Sequence, residues 1–158
     1  MSKHDVTMTV NGVEHSIQVE SPMRLIDVLR DELGLKSVKE GCGTGDCGIC
    51  AVLVDGRLVN SCLMLAAQCD GSRIVTLEGL LGDPVMKRLQ DKFMANNAAQ
   101  CGFCTPAMLM AAWDLARKGS DPSMEEIKTT ISGVLCRCTG YYPILGAVQE
   151  ACQEVVKP

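Results

Sequence analysis

Eight of the ten cysteines fall into two spaced sets, and no other feature of the chain restricts its fold as strongly. The first set is Cys42, Cys47, Cys50 and Cys62, spaced C-x4-C-x2-C-x11-C. The second is Cys101, Cys104, Cys136 and Cys138, spaced C-x2-C-x31-C-x-C. Disulfides explain this poorly. A chain of 158 residues is long enough to bury a core without covalent staples. The start, Ser2-Lys3-His4-Asp5, leads directly into an alternating segment with no apolar signal core, so a reducing, cytoplasmic setting is expected. Clustered thiols in such a setting point to metal, and the fold must bring each set together.

The first three cysteines have the spacing of a plant-type [2Fe–2S] ferredoxin run, in which thiolates ligate two sulfide-bridged irons. Gly41, Gly43, Gly45 and Gly48 suit that role. A loop wrapped round a cluster needs unusual backbone angles and must bring N–H groups close to sulfur, which stabilises the charge added on reduction. Two other readings are weaker. Gly43-x-Gly45-x-x-Gly48 formally matches a dinucleotide fingerprint, but Ala51 to Val54 reads as a strand rather than a helix, and cysteines interrupt the motif. A four-thiolate zinc site is chemically possible, but the four-residue gap and the glycine density favour iron and sulfide.

The second set alone is less specific, and zinc competes there more seriously. Its placement favours a cluster. Cys104 lies just before a helix opened by Pro106, and Cys138 shortly before one opened by Pro143. Helix N-termini carry partial positive charge and unpaired N–H groups, which suit an anionic thiolate cluster.

The two sets lie in halves of different texture. In the first, Val6, Met8 and Val10 alternate with threonines, Asn11-Gly12 signals a tight hairpin, and Ile17 and Val19 alternate again. Ser21-Pro22 is expected to open a helix carrying Leu25, Leu29 and Leu33 and closed by Gly34. Ala51–Val54, Asp55-Gly56 and Arg57–Val59 form a second hairpin, and Ile74-Val75-Thr76 a last strand. The second half reads as four helices. One opens at Asp83-Pro84 with Val85, Leu89 and Phe93 on one face. The helix at Pro106 is apolar nearly all round and therefore buried. Ser123 and Glu126 form a capping box before Ile127, Ile131 and Val134. The helix at Pro143 carries Leu145, Val148, Cys152 and Val155. Texture changes between Glu78 and Asp83, which divides the chain into residues 1–79 and 80–158.

Composition excludes several function classes. A net charge of −4 gives no electrostatic basis for binding nucleic acid or an anionic membrane, and the longest apolar run, Pro106 to Trp113, is too short to span a bilayer. A hydrophobic fraction of 47% excludes disorder. No Ser/His/Asp set or paired carboxylate marks a hydrolytic site. Only five aromatic residues stand against nine methionines, a composition suited to a subunit that packs on partners.

Gly41-Cys42-Gly43-Thr44-Gly45-Asp46-Cys47-Gly48, Gln100-Cys101-Gly102-Phe103-Cys104-Thr105-Pro106 and Cys136-Arg137-Cys138-Thr139-Gly140-Tyr141 together resemble the two cluster signatures of the xanthine oxidase (molybdenum hydroxylase) family. The resemblance spans nearly the whole chain and is to the small iron–sulfur subunit of its heterotrimeric bacterial members. It implies an α+β fold: an N-terminal plant-type ferredoxin-like (β-grasp) domain followed by an all-α four-helix bundle domain. It implies two [2Fe–2S] clusters, an outer one on Cys42, Cys47, Cys50 and Cys62 and an inner one on Cys101, Cys104, Cys136 and Cys138. By the same resemblance Gln100 hydrogen-bonds a pterin and Cys138 lies against it. The chain would relay electrons from molybdopterin to FAD, both on partner subunits: a large molybdopterin-binding subunit and a medium FAD-binding subunit, in a dimer of heterotrimers. The reaction served would be hydroxylation of an N-heterocycle or an aldehyde, with no catalytic residue in this chain. Ser37-Val38-Lys39-Glu40 leans toward the N-heterocycle oxidisers.

The chain departs from the family pattern at Gly133-Val134-Leu135, Ala107 and Ile49, and none of these removes a thiol. A free ferredoxin-like carrier is the alternative, although one cluster and one small fold would suffice for that. A zinc-stabilised scaffold is a third reading and would be colourless. Outside the two sets, Cys152 is expected to be a core thiol, Cys69 either core or surface, His4 and His15 solvated, Met108, Met110 and Trp113 packing residues, and Glu125, Glu126 and Lys128 a solvated face.

Overall fold

The computed structural model describes residues 2–119 and 121–156, the side chains of 155 and 156 excepted. The chain divides between Leu80 and Leu81 into two compact units.

In the first unit the alternating segment forms strand β1 (Lys3–Val10), with Val6, Met8 and Val10 buried. It pairs antiparallel with β2 (Val13–Glu20) along its full length. Asn11 and Gly12 between them both have positive φ, +52° and +84°, the twist a two-residue hairpin needs. Asp55 and Gly56 repeat this turn, at +49° and +79°, between β3 (Ala51–Val54) and β4 (Arg57–Asn60). With β5 (Arg73–Val75) the sheet order is β2-β1-β5-β3-β4, β1 and β5 running parallel and the other pairs antiparallel. All of β3 is buried, and Val52, Val54 and Ile74 join Val6, Met8, Val10 and Val19 in one core with Leu25, Ile26, Val28 and Leu29.

The helix expected from Ser21-Pro22 begins later and is short. Arg24 is held extended, because Leu25 N–H donates to Met64 C=O and Ala66 N–H to Met23 C=O. Helix α1 (Leu25–Asp27) therefore opens after Arg24, whose N–H and guanidinium both donate to the Asp27 carboxylate, and widens into a π-turn over Val28–Glu32. Ser21 is occupied elsewhere, 3.0 Å from His4 Nε2 and donating to Ser2 C=O. The stop is as expected: Gly34 sits at φ +70° and Leu35 N–H returns to Leu29 C=O at 2.8 Å.

The second unit is helical. Asp83 caps α2 (Pro84–Ala95) by accepting from the N–H groups of Val85 and Met86. The buried face is Met86, Leu89 and Phe93; Val85 is only half-buried. Helix α3 (Thr105–Ala116) is buried nearly all round, from Ala107 to Ala112 and again at Leu115 and Ala116. Ser123 and Glu126 form the expected capping box on α4 (Met124–Ser132), whose Ile127 and Ile131 are buried. In α5 (Tyr142–Val156), Ile144, Ala147, Val148, Ala151 and Cys152 are buried and Leu145 is half-buried; the side chain of Val155 lies outside the described residues. Helix α5 packs on α2 with ion pairs from Arg88 and Lys92 to Glu154 at its edge. Trp113 is half-buried rather than a packing residue alone: its indole N–H donates to Asp83 at 2.9 Å, and Arg117 lies over its ring. Among the described residues no helix is long and apolar enough to cross a membrane.

Candidate metal centres

Both cysteine sets lie on loops at the ends of regular elements. Cys42, Cys47 and Cys50 occupy the segment between the π-turn and β3, and Cys62 lies in a 3-10 turn, Ser61–Leu63, just past β4. The β3–β4 hairpin brings Cys62 back beside Cys50, because Ala51 faces Asn60 in the ladder. Buried Ser61 then locks the two ends, donating from both its N–H and its hydroxyl to Cys50 C=O at 3.3 and 2.7 Å. Cys47, Cys50 and Cys62 are buried and Cys42 is exposed.

The loop depends on glycine at defined points. Gly45 has φ +88°, and a Cβ there would lie 2.4 Å from Leu63 Cδ1. A Cβ on Gly41 would lie 2.7 Å from the Cys47 sulfur. Outside the loop, Arg24 bonds both Asp27 and Glu40, and Ser37 donates its N–H and hydroxyl to Glu78. The carboxyls of Asp27 and Glu40 are held below the usual range by the Arg24 guanidinium. Burial raises the Glu78 carboxyl, but hydrogen bonds from Ser37 and Thr76 outweigh it. Sequence reading gave no supporting role to Arg24, Glu40, Ser61 or Glu78; only the three-residue spacing of Arg24 and Asp27 hinted at one of them.

The thiols stand in pairs. The Cys42 sulfur accepts N–H bonds from Thr44 and Cys47, each at 3.4 Å, and the thiol is lowered to about 6, first by the Thr44 side chain and then by these N–H groups. Cys62 neighbours Cys50 and is pushed up to about 11, mainly by burial. In the second unit Cys101 and Cys138 are exposed, with their sulfurs 3.5 Å apart. Cys104 and Cys136 are buried and in mutual contact, and burial pushes Cys104 up to about 12. Cys104 is also the N-cap residue of α3, as the Thr105-Pro106 start requires. Among the described residues no three His, Cys, Asp or Glu side chains gather closely enough to chelate a single metal ion. The donor chemistry fits a two-iron cluster in each unit: four sulfurs, two to each iron.

Two family models match the chain: the 2Fe-2S iron-sulfur cluster binding domain over residues 8–74 and the [2Fe-2S] binding domain over residues 76–149. The chain is 48% identical over 151 residues to the nicotinate dehydrogenase small FeS subunit of Eubacterium barkeri, covering 96% of each chain. It belongs to the small iron–sulfur subunits of the molybdenum hydroxylase family. Such a subunit is a non-catalytic, electron-transferring part of a multi-subunit oxidoreductase. A chain of quinoline 2-oxidoreductase from Pseudomonas putida 86 superposes on this small subunit with a TM-score of 0.89 at 40% identity, covering 98% of this chain and 96% of that one. The aldehyde oxidoreductase of Desulfovibrio desulfuricans superposes with a TM-score of 0.87 at 36% identity. There the match covers 98% of this chain but only 17% of the other. The fold therefore occurs both as a separate chain and as part of a much longer one.

The structure places the remaining candidates as follows. Gln100 is exposed beside the exposed pair of the second set. Phe103 and Leu135, each next to a cysteine of that set, are also exposed. Cys152 is a buried thiol as expected, and Cys69 is core, its thiol raised by burial. His4 is exposed.

Proposed function

We propose that the eight thiols are the cluster ligands, with Cys42 and Cys47 on one iron of the outer cluster and Cys50 and Cys62 on the other. In the inner cluster the pairs are Cys101 with Cys138 and Cys104 with Cys136. The observation that carries this reading is the pairing of thiols within each set: Cys101 with Cys138, Cys104 with Cys136, Cys50 with Cys62, and Cys42 with Cys47, whose N–H and side chain both interact with the Cys42 sulfur. On it, residues 1–79 form the outer-cluster domain and residues 80–158 a four-helix bundle holding the inner cluster. The clusters supply one-electron storage at fixed points. This chain's own residues hold the sulfurs, direct N–H groups at them and shield three of the four outer thiols from water.

Electrons enter on the inner side, from a molybdopterin-binding large subunit, and leave on the outer side to a medium subunit carrying FAD. The exposed pair Cys101 and Cys138, with Gln100 adjacent, is the edge presented to the pterin; exposure of both sulfurs supports this. The assembly is a dimer of heterotrimers in the cytoplasm, where reduced thiols are maintained. Its substrate is an N-heterocycle, in line with the nicotinate and quinoline enzymes named above.

Affinity purification of the tagged chain from its native host tests the assembly. Recovery of two larger proteins, one with molybdenum and one with FAD, is expected. A chain recovered alone and loaded with iron in every preparation would favour the free carrier. Within the complex, Gln100→Ala is expected to slow reduction of the inner cluster by substrate while leaving its reduction by dithionite unchanged.

A further inference from the structure

The geometry points to Thr139 as the residue that sets the reduction potential of the inner cluster, by donating its hydroxyl hydrogen to the Cys136 sulfur. The inference rests on Cys136 being a ligand, as proposed above. Thr139 Oγ1 lies 3.2 Å from Cys136 Sγ, and it also accepts a hydrogen bond from Tyr141 N–H at 3.1 Å. That second bond engages a hydroxyl lone pair and leaves the hydrogen directed elsewhere. An iron-bound thiolate has no proton to give, so between Thr139 and Cys136 the hydroxyl must be the donor.

The surroundings hold this arrangement in place. Tyr141 adopts φ +71°, whereas the other non-glycine residues with positive φ among those described are Asn11, Asp55 and Asn97, which tolerate it better. Its ring does not fill the core; it lines an open pocket of about 260 Å³ with Ile131 and Leu145. Its hydroxyl does the anchoring, accepting from Cys136 N–H at 3.0 Å and donating to Val134 C=O at 3.2 Å. Tyr141 thus clamps the turn from both ends, and its N–H orients Thr139.

The electronic consequence has a definite sign. When the inner cluster accepts one electron, one iron passes from ferric to ferrous, no covalent bond changes and no proton has to move. The added negative charge spreads onto the sulfurs. A hydroxyl already aimed at Cys136 stabilises that form more than the oxidised one, so it raises the potential. Cys136 is buried, so water does not replace the bond when the hydroxyl is removed.

The test is a dithionite titration of the full chain, purified anaerobically and monitored by low-temperature EPR. The inner-cluster signal is identified as the one altered by Cys138→Ser. Thr139→Val is expected to lower the reduced-to-oxidised ratio of that signal about tenfold at fixed potential, a shift of about 59 mV to the negative. Thr139→Ser is expected to restore it, and the outer signal should stay put in both. An unmoved inner potential with both clusters present overturns the inference. If Thr139→Val does not retain its inner cluster, Thr139→Ala is read in the same way; loss of the cluster in both assigns Thr139 a structural role and rejects the potential-setting one. A wild-type chain with only one cluster would instead sink the ligand assignment on which the inference rests.

Discussion

The Arg24 guanidinium holds the Glu40 carboxylate through two hydrogen bonds, Nη1 to Oε1 at 2.7 Å and Nη2 to Oε2 at 3.0 Å. The same side chain caps α1 through Asp27, so a single fork ties the helix start to the residue two positions before Cys42. Planar two-point geometry of this kind is specific to arginine. Arg24→Lys is therefore expected to release iron from the outer cluster faster than wild type, while the inner cluster is retained. Iron-release kinetics followed at the visible charge-transfer bands, with EPR to tell the clusters apart, check this.

Gly45→Ala combines two penalties: a left-handed backbone at φ +88° and a Cβ 2.4 Å from Leu63 Cδ1. The backbone strain alone costs about 1–3 kcal/mol. The expected product folds in its second unit and holds two irons where wild type holds about four. Leu63→Ala in the same chain removes the clash but not the strain, so recovery should be partial. Iron and sulfide analysis of the single and double variants decides.

Much of this was legible in the sequence, and the reasons are local. Asn11-Gly12 and Asp55-Gly56 specify their turns because few other pairs tolerate two positive φ values in succession. The Asp83 cap and the Ser123–Glu126 capping box formed as their spacing implied. Two kinds of feature were not legible. Ser21-Pro22 carries a valid helix-start signal, but a backbone bridge between Arg24 and Leu65 takes the segment first, and that partner is some forty residues away. The supports of the outer loop, Arg24 to Glu40 and Ser37 to Glu78, join residues distant in sequence with no periodic pattern. The eight cysteines were visible from spacing, whereas their grouping into pairs emerged only from the packing.

Glu78 gives the first unit a pH dependence. Its carboxyl accepts from Ser37 and Thr76 and is held below the usual glutamate value in the folded state. A group lowered in this way stabilises the fold fully above its ordinary value, and the contribution disappears as pH falls through the lowered one. Glu78→Gln should therefore melt lower than wild type at pH 7 by the equivalent of about 1 kcal/mol, given the residue's partial exposure. The gap should be constant from pH 8 to pH 6 and close only in acid, below the usual glutamate range. Thermal melts across that pH series measure it.

Tyr141→Phe removes the hydroxyl that serves both Cys136 N–H and Val134 C=O. Leaving these backbone groups without their partner costs about 1–3 kcal/mol. The inner cluster should become oxygen-labile, and the outer cluster should not. Bleaching rates in air, resolved by EPR after timed exposure, report the difference.

The measurement that bears most directly on the account is a count of iron, acid-labile sulfide and zinc per chain in anaerobically purified protein, with EPR after dithionite reduction. Two [2Fe–2S] clusters require about four irons and four sulfides, and two distinguishable signals. Zinc without sulfide, in protein shown not to have lost iron, would contradict the account.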